Sequence, residues 1–390
     1  MKHLKKVTFF VVTVLMLAAC QKDTEVVPGT NSANTDGIKS GNGSDDETSR
    51  NANRHVYTLN NQVSSNAVMD YKRSSDGTLT FSAAYPTGGT GTGGGLGNQG
   101  AVILDEEEDR LLAVNPGSNS ISSFKVTGNG LNLKSTVSSG GMRPVSITQH
   151  DNIVYVLNAG GDGNISGFKL GNNDKLTPIE NTTRPLSSTT AGAAQISFVN
   201  DGRVLVITEK ATNKIITYTV NEWGIPGSMH SITSSTATPF GFEAGRNGNI
   251  FVSEAAGGAA GASKLSSYHV GYNGSISLLS GSVGANQSAA CWVAITDNGK
   301  YAYTTNTASN NLSNFNINNY NGAISVNTAV AAVTDMGPID AALSNNSKYL
   351  YILNGVSHSI GVYAVANDGS LTAVQTVTGL PAGANGLSAR

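Results

Sequence analysis

The chain predicts an all-β fold, a closed seven-bladed β-propeller, and three observations predict it. One unit recurs seven times, opening near Arg54, Arg110, Ile153, Arg203, Asn249, Lys300 and Lys348; a spacing of roughly 40 to 55 residues belongs to propellers and solenoids. Each unit begins with a short strand that ends on a polar residue: VYTLN, LLAVN, VYVLN, VLVITE, IFVSE, YAYTTN and YLYILN. Such β-branched and aromatic runs suit a pleated surface. Each unit also closes on a small, apolar segment that supplies the fourth strand of a complete blade.

The elements follow in order. After the opening strand and a polar loop comes a second strand, read as ISSFKV, ISGFKL, IITYTV, LSSYHV, LSNFNI or IGVYAV, in which apolar positions alternate with Ser, Thr, Lys or Asn. That alternation is strand periodicity. Tight turns at residues 200–202, 297–299 and 368–370, all built from Asn, Asp, Gly and Ser, supply the positive-φ residues of hairpins. The closing segments are GAVILD from Gly100, PVSIT from Pro144, AQISFV from Ala194, PFGFEA from Pro239, CWVAIT from Cys291, PIDAAL from Pro338 and NGLSAR from Asn385. The last has no hairpin behind it and is expected to return to the first blade as its innermost strand. Such a closure removes an open sheet edge, and a monomer is expected.

The repeat accounts for residues 54–390 as one domain. Ahead of it, residues 1–19 carry a basic start (Lys2, Lys5, Lys6) and an apolar run from Val7 to Leu17, and Leu17-Ala18-Ala19-Cys20 resembles a bacterial lipobox. This predicts a cleaved signal peptide and a lipidated Cys20, with the acyl chains as the only membrane attachment. Gln21 to Glu25 (QKDTE) resembles an acidic lipoprotein export signal, so an outer-membrane lipoprotein is expected, with the periplasmic and cell-surface sides both open. Residues 20–53 hold too few apolar side chains to offset the entropy of ordering and read as a flexible tether.

Lys plus Arg number 24 against 26 Asp plus Glu, which leaves no basic field for nucleic acid. Aromatic residues make up 6 % of the chain, too sparse for the long stacking platform of a polysaccharide binder. With Cys20 assigned to lipid, Cys291 is the only other cysteine, so no internal disulfide is expected. No histidine pair has metal-ligand spacing, and neither a metal nor a cofactor is expected. The glycine-rich run Gly88 to Gly100 lacks a following helix, hence has no anion site at a helix start, and reads as a mobile loop over the channel.

Blade order puts the loops after the opening strands and those between blades at one end of the ring, where propellers keep ligands. The residues ending the opening strands form a column there: Asn60, Asn115, Asn158, Glu209, Glu254, Asn306 and Asn354. Asn suits a loop start because it tolerates left-handed backbone; glutamate does not, and departures from a local rule mark functional or strained positions. Glu209 and Glu254 are therefore the candidate catalytic pair, one acting as base if both share a water-poor pocket. Lys210 and Arg143 are the candidate anion holders, and Asn158, Asn306, Asn354 and His358 complete the expected substrate-binding set. Solvated ion pairs of the two glutamates with Lys210, Lys214 or Lys264 are the structural alternative.

The motifs YVLNAGGDGNISGFKL from Tyr155, LVITEKATNKIITYTV from Leu205, FVSEAAGGAAGASKLSSYHV from Phe251, AACWVAITDNGKYAYTTNTASNNLS from Ala289, GPIDAALS from Gly337 and LPAGANGLSAR from Leu380 together resemble the lactonase-like seven-bladed propellers, relatives of 6-phosphogluconolactonase and carboxymuconate lactonising enzyme. The likeness spans residues 54–390. It implies a hydrolase that opens a small lactone or sugar-acid ester with acidic, basic and histidine side chains at the channel mouth. Glu209 and Glu254 match the acidic part; no histidine stands beside them. The other reading is a non-catalytic surface propeller that binds a protein or small ligand at the same mouth.

Overall fold

A computed structural model describes residues 54–390, and there the repeat becomes seven antiparallel sheets arranged as the blades of a ring. The expected signal peptide, lipidated Cys20 and tether lie outside the described residues. Counting from His55, the inner strands of blades 1 to 7 are Asn385–Ala389, Val102–Leu104, Met142–His150, Ala193–Val199, Pro239–Ala244, Ala290–Ile295 and Pro338–Leu343. Every blade has four strands, except that the outer strand of blade 3 is broken into Leu176–Pro178 and Arg184–Pro185, both paired to Asn164–Leu170. Proline belongs at such an edge, where no ladder donor is needed.

The ring closes as the repeat requires. Asn385–Ala389 pairs with His55–Leu59, with Val56 opposite Ala389, Tyr57 opposite Ser388 and Leu59 opposite Asn385. The N–H of Arg390 donates to the His55 carbonyl at 2.9 Å, and the Arg73 guanidinium donates to the Arg390 carbonyl at 2.8 Å. Leu387 sits in one apolar cluster with Val56 and Tyr71 of blade 1 and with Leu353 and Ile360 of blade 7. The closing strand is therefore both a sheet member and a wedge between two blades.

Hydroxyls seal most of the other seams. Tyr155, Tyr303 and Tyr351 hold the same place in the opening strands of blades 3, 6 and 7; each reaches forward to the next blade and donates to a hairpin carbonyl, on Gly224 at 2.6 Å, Gly369 at 2.8 Å and Gly77 at 3.4 Å. Where that tyrosine is missing, a side chain one strand further out substitutes: Ser123 to Asp174 at 2.7 Å, Thr217 to Gly274 at 2.5 Å and Ser267 to Gly322 at 2.6 Å. All six acceptors lie at positive φ. A side chain at Gly77 would place its Cβ 2.2 Å from the Tyr349 ring, so glycine answers there both to backbone conformation and to close packing.

The inner strands carry a second shared device. Each is the free edge of its sheet and would present unpaired N–H groups to the channel; side chains of neighbouring blades satisfy several of them. Ser146 Oγ accepts from Ile196 N at 3.1 Å, Thr148 Oγ1 from Phe198 N at 3.1 Å and Gln195 Oε1 from Phe242 N at 2.7 Å. A bulge interrupts the register near the start of every inner strand except Val102–Leu104. Bulges re-aim side chains, and here they decide what faces the hub.

Candidate functional site

The glycine-rich segment enters the channel mouth instead of lying over it, a correction to the expected placement. Leu96, Asn98 and Gln99 are its buried larger side chains. Gln99 bonds the main chain of Val293 like a short strand, donating from Nε2 to the carbonyl at 2.9 Å and accepting from the N–H at 3.2 Å. Its own N–H donates to Ala194 O at 3.2 Å, and Trp292 Nε1 donates to Asn98 O at 2.7 Å. The loop thus touches blades 4 and 6, and Asn98 Nδ2 also donates to Val145 O of blade 3. A Cβ at Gly241 of blade 5 would lie 2.1 Å from Gln99 Oε1; only glycine leaves room for this plug.

Lys210 is the expected site residue that the plug covers. Its Nζ donates to Gly97 O and lies 4.8 Å from the centroid of the Phe240 ring. Burial lowers its pKa to about 8, with the charge of Arg143 contributing in the same direction. Arg143 itself is exposed at φ 51°, the left-handed residue that opens its inner strand, a place taken by Thr238, Ala289 and Gly337 in blades 5, 6 and 7. His358 is half-buried in the loop of blade 7 at φ 50°.

Glu209 and Glu254 do not share a pocket. Both are fully buried, each inside a cage of donors. Glu209 accepts from Ser187 N at 2.8 Å, from the Ser187 hydroxyl and from Thr212 Oγ1 at 2.5 Å. Glu254 accepts from Ser234 Oγ at 2.6 Å, Ser266 Oγ at 2.8 Å and Tyr268 Oη at 2.9 Å. Neither forms an ion pair with a lysine among the described residues. Where the neighbours are all donors, a carboxylate answers them better than an amide, which also has to donate. The amides of the column are buried in mixed surroundings: Asn158 Nδ2 donates to Asn164 Oδ1 at 2.7 Å, Asn306 Nδ2 to Ser313 Oγ at 2.8 Å and Asn354 Nδ2 to Ser359 Oγ at 3.2 Å. The column is a set of joints between strands and loops, not a ring of groups around the hub.

Beneath the plug the channel widens into a cavity of about 390 Å³. It runs from Gln99 and Gly100 down the inner strands to Leu104, Ile295 and Leu343, and neither Glu209 nor Glu254 lines it. Two other acids do, Glu243 of blade 5 and Asp340 of blade 7, among Gln149, Gln195, Thr148 and Ser197. Glu243 is half-buried. Desolvation pushes its carboxyl up to about 7, against a small opposing pull from the Ala244 N–H. Asp340 is only 2 % exposed; burial raises it well above the carboxylate range and the charge of Glu243 raises it further, although the Ala341 N–H donates to its Oδ1 at 2.8 Å. The structure therefore places in one cavity two carboxyls that burial raises, Glu243 to about 7 and Asp340 well above the carboxylate range. Two environments that push paired acids apart are how one site holds both a base and an acid.

The fold and this channel define a class, the propeller with a polar central well. The family model for the lactonase seven-bladed β-propellers matches residues 31–184 and 274–385, more than half of the chain, and the protein belongs to that family. Among solved structures it is similar to a candidate 6-phosphogluconolactonase of Bacteroides uniformis, at 18 % identity and TM-score 0.68 over 85 % of this chain and 99 % of that one. It is also similar to the Pseudomonas aeruginosa periplasmic gluconolactonase PpgL, at 13 % identity and TM-score 0.67 over 85 % and 98 %. Likeness at such identity establishes the shared fold. No curated protein matches the sequence.

Proposed function

We propose that this propeller hydrolyses a small lactone or sugar-acid ester, and that the chemistry belongs to Glu243 and Asp340 in the channel. The observation that carries the reading is the placing of two acids, Glu243 raised to about 7 and the more deeply buried Asp340 raised well above the carboxylate range, on the wall of a single cavity. Ionised Glu243 takes a proton from water as its oxygen bonds to the acyl carbon. Asp340 hydrogen-bonds the oxyanion and gives its proton to the ring oxygen as the acyl–oxygen bond breaks. The product is a hydroxy acid, and proton exchange with solvent resets both groups. The cavity lies in the size range of small-molecule sites. The gluconolactonase name of the Pseudomonas relative supports a sugar lactone as substrate.

The test is ring opening across a panel of sugar lactones, followed by pH titration. The rate is expected to climb as pH rises through about 7, where Glu243 ionises. A protein that opens none of the lactones overturns the reading and favours the non-catalytic binder. The lipobox-like segment ending at Cys20 supports an acylated protein of the outer membrane, a monomer held there by lipid alone. Metabolic labelling with a fatty acid is expected to mark wild type and not Cys20→Ala; equal labelling of the two discards the anchor.

A further inference from the structure

The hub of the ring has a register of its own. In each blade one inner-strand residue pairs with the opening strand three places before the residue that ends it, and in blade 5 that residue is Glu243, opposite Phe251. Its counterparts are Ser388, Ile103, Thr148, Ser197, Ala294 and Ala342, opposite Tyr57, Leu112, Tyr155, Val206, Tyr303 and Tyr351. All seven line the cavity. Glu243 is thus the single ionisable member of a layer otherwise made of three hydroxyl and three apolar side chains. Among the described residues no lysine, arginine or histidine lines the cavity. Lys210 donates its Nζ to Gly97 O of the plug, and Arg390 donates Nη1 to Glu108 O at 2.8 Å.

From this layer we infer that the well takes an uncharged, hydroxyl-bearing lactone and rejects a phosphorylated one, an inference that rests on the lactonase reading and narrows it. A phosphate that leaves water for this space meets carboxyls and no cation. A buried charge without a partner is strongly disfavoured. Hydroxyls meet the opposite situation. Thr148 Oγ1 accepts from Phe198 N and keeps its own hydrogen to give. Ser197 Oγ donates to Phe198 O at 3.3 Å and keeps its lone pairs. Gln195 Oε1 is taken by Phe242 N, which leaves the Nε2 hydrogens. All three residues line the cavity, and each can meet a ligand hydroxyl as donor or acceptor. Within the layer the polar arc runs over blades 3 to 5, as Thr148, Ser197 and Glu243, and Ala294 and Ala342 of blades 6 and 7 form an apolar side. A sugar ring, polar at its edge and apolar on its face, matches such a two-sided wall.

Calorimetric titration with 1,5-anhydroglucitol and with its 6-phosphate tests the inference without turnover, since the two differ only in the charged group. Above a pH of about 7, where Glu243 is ionised, the neutral sugar is expected to bind at least about tenfold tighter. Glu243→Gln is expected to narrow that gap severalfold, because the layer then holds no charge. Ser197→Ala combined with Ser388→Ala is expected to weaken the neutral sugar about tenfold, the scale of two net hydrogen bonds, with the melting temperature unchanged. The kcat/KM values for glucono-δ-lactone and its 6-phosphate are expected to show the same preference. Equal or tighter binding of the phosphate overturns the inference, as does binding of neither sugar or a gap that Glu243→Gln leaves as it was. Selective binding of the neutral sugar by a protein that opens no lactone discards the lactonase reading while the selectivity stands; lactones opened with no preference for the uncharged one do the reverse.

Discussion

Glu243→Gln is expected to lower kcat for lactone opening by a factor of about 10² to 10⁴, the usual weight of a positioned base, while making the folded protein more stable at neutral pH. The second half follows from linkage. The folded state holds the Glu243 proton up to about 7, against an ordinary 4.5. Stability from this group is therefore full below pH 4.5 and is lost as pH rises to about 7. An amide carries no such cost, so the variant should show a flatter stability profile between those limits. Enzymes often give up stability where their chemistry demands it. Glu209→Gln and Glu254→Gln should behave in the opposite way. Each puts an amide N–H₂ against donors, and the expected loss is about 1 to 3 kcal/mol of stability with little change in the chemical step. Activity that survives Glu243→Gln but disappears in a well-folded Glu209 or Glu254 variant would reverse the assignment.

Removing residues 385–390 is expected to abolish cooperative folding. The deletion strips blade 1 of its inner strand, leaves the main-chain groups of Val56, Tyr57 and Leu59 without partners and empties the place of Leu387 between blades 1 and 7. Each buried group left unpaired costs about 1 to 3 kcal/mol and the lost leucine contributes about 2 kcal/mol. A domain holds only about 5 to 15 kcal/mol in all. The exposed edge also offers itself to a second chain. Circular dichroism melts and gel filtration read the result. A truncated protein that melts sharply within a few degrees of the full chain would show that the ring does not depend on its clasp.

Most of the architecture was legible because a repeat reports on itself seven times. The opening strands, the hairpin glycines and the returning strand at Asn385 were all placed by aligning one copy with the next. Site chemistry was less legible, for local reasons. Glu209 and Glu254 stood out because they break a column of amides, yet that signal measured the donors around them, namely Ser187, Thr212, Ser234, Ser266 and Tyr268, which come from other parts of the chain. Glu243 and Asp340 lay in plain view in PFGFEA and PIDAAL, single acids in segments otherwise small and apolar. A strict alternation could not say where they point, because the bulges at Pro239 to Phe242 and Pro338 to Asp340 shift the register just before them. Leu96, Asn98 and Gln99 offered a similar hint, being the larger side chains in a glycine run, and they are the ones buried in the mouth.

The seams between blades have one more consequence. Six of these contacts end on a backbone oxygen of the neighbouring hairpin and ask nothing of that hairpin's side chains beyond the residue that bears the oxygen. Cohesion and display are thereby uncoupled: the residues one or two places ahead of each clasp are free to vary without loosening it. Trp223, Tyr272 and Tyr320 occupy that freedom on three blades, and the remaining hairpins hold Asp, Asn, Ser or Gly in the same setting. A scaffold so arranged lets selection rewrite one rim while the barrel of sheets behind it stays the same.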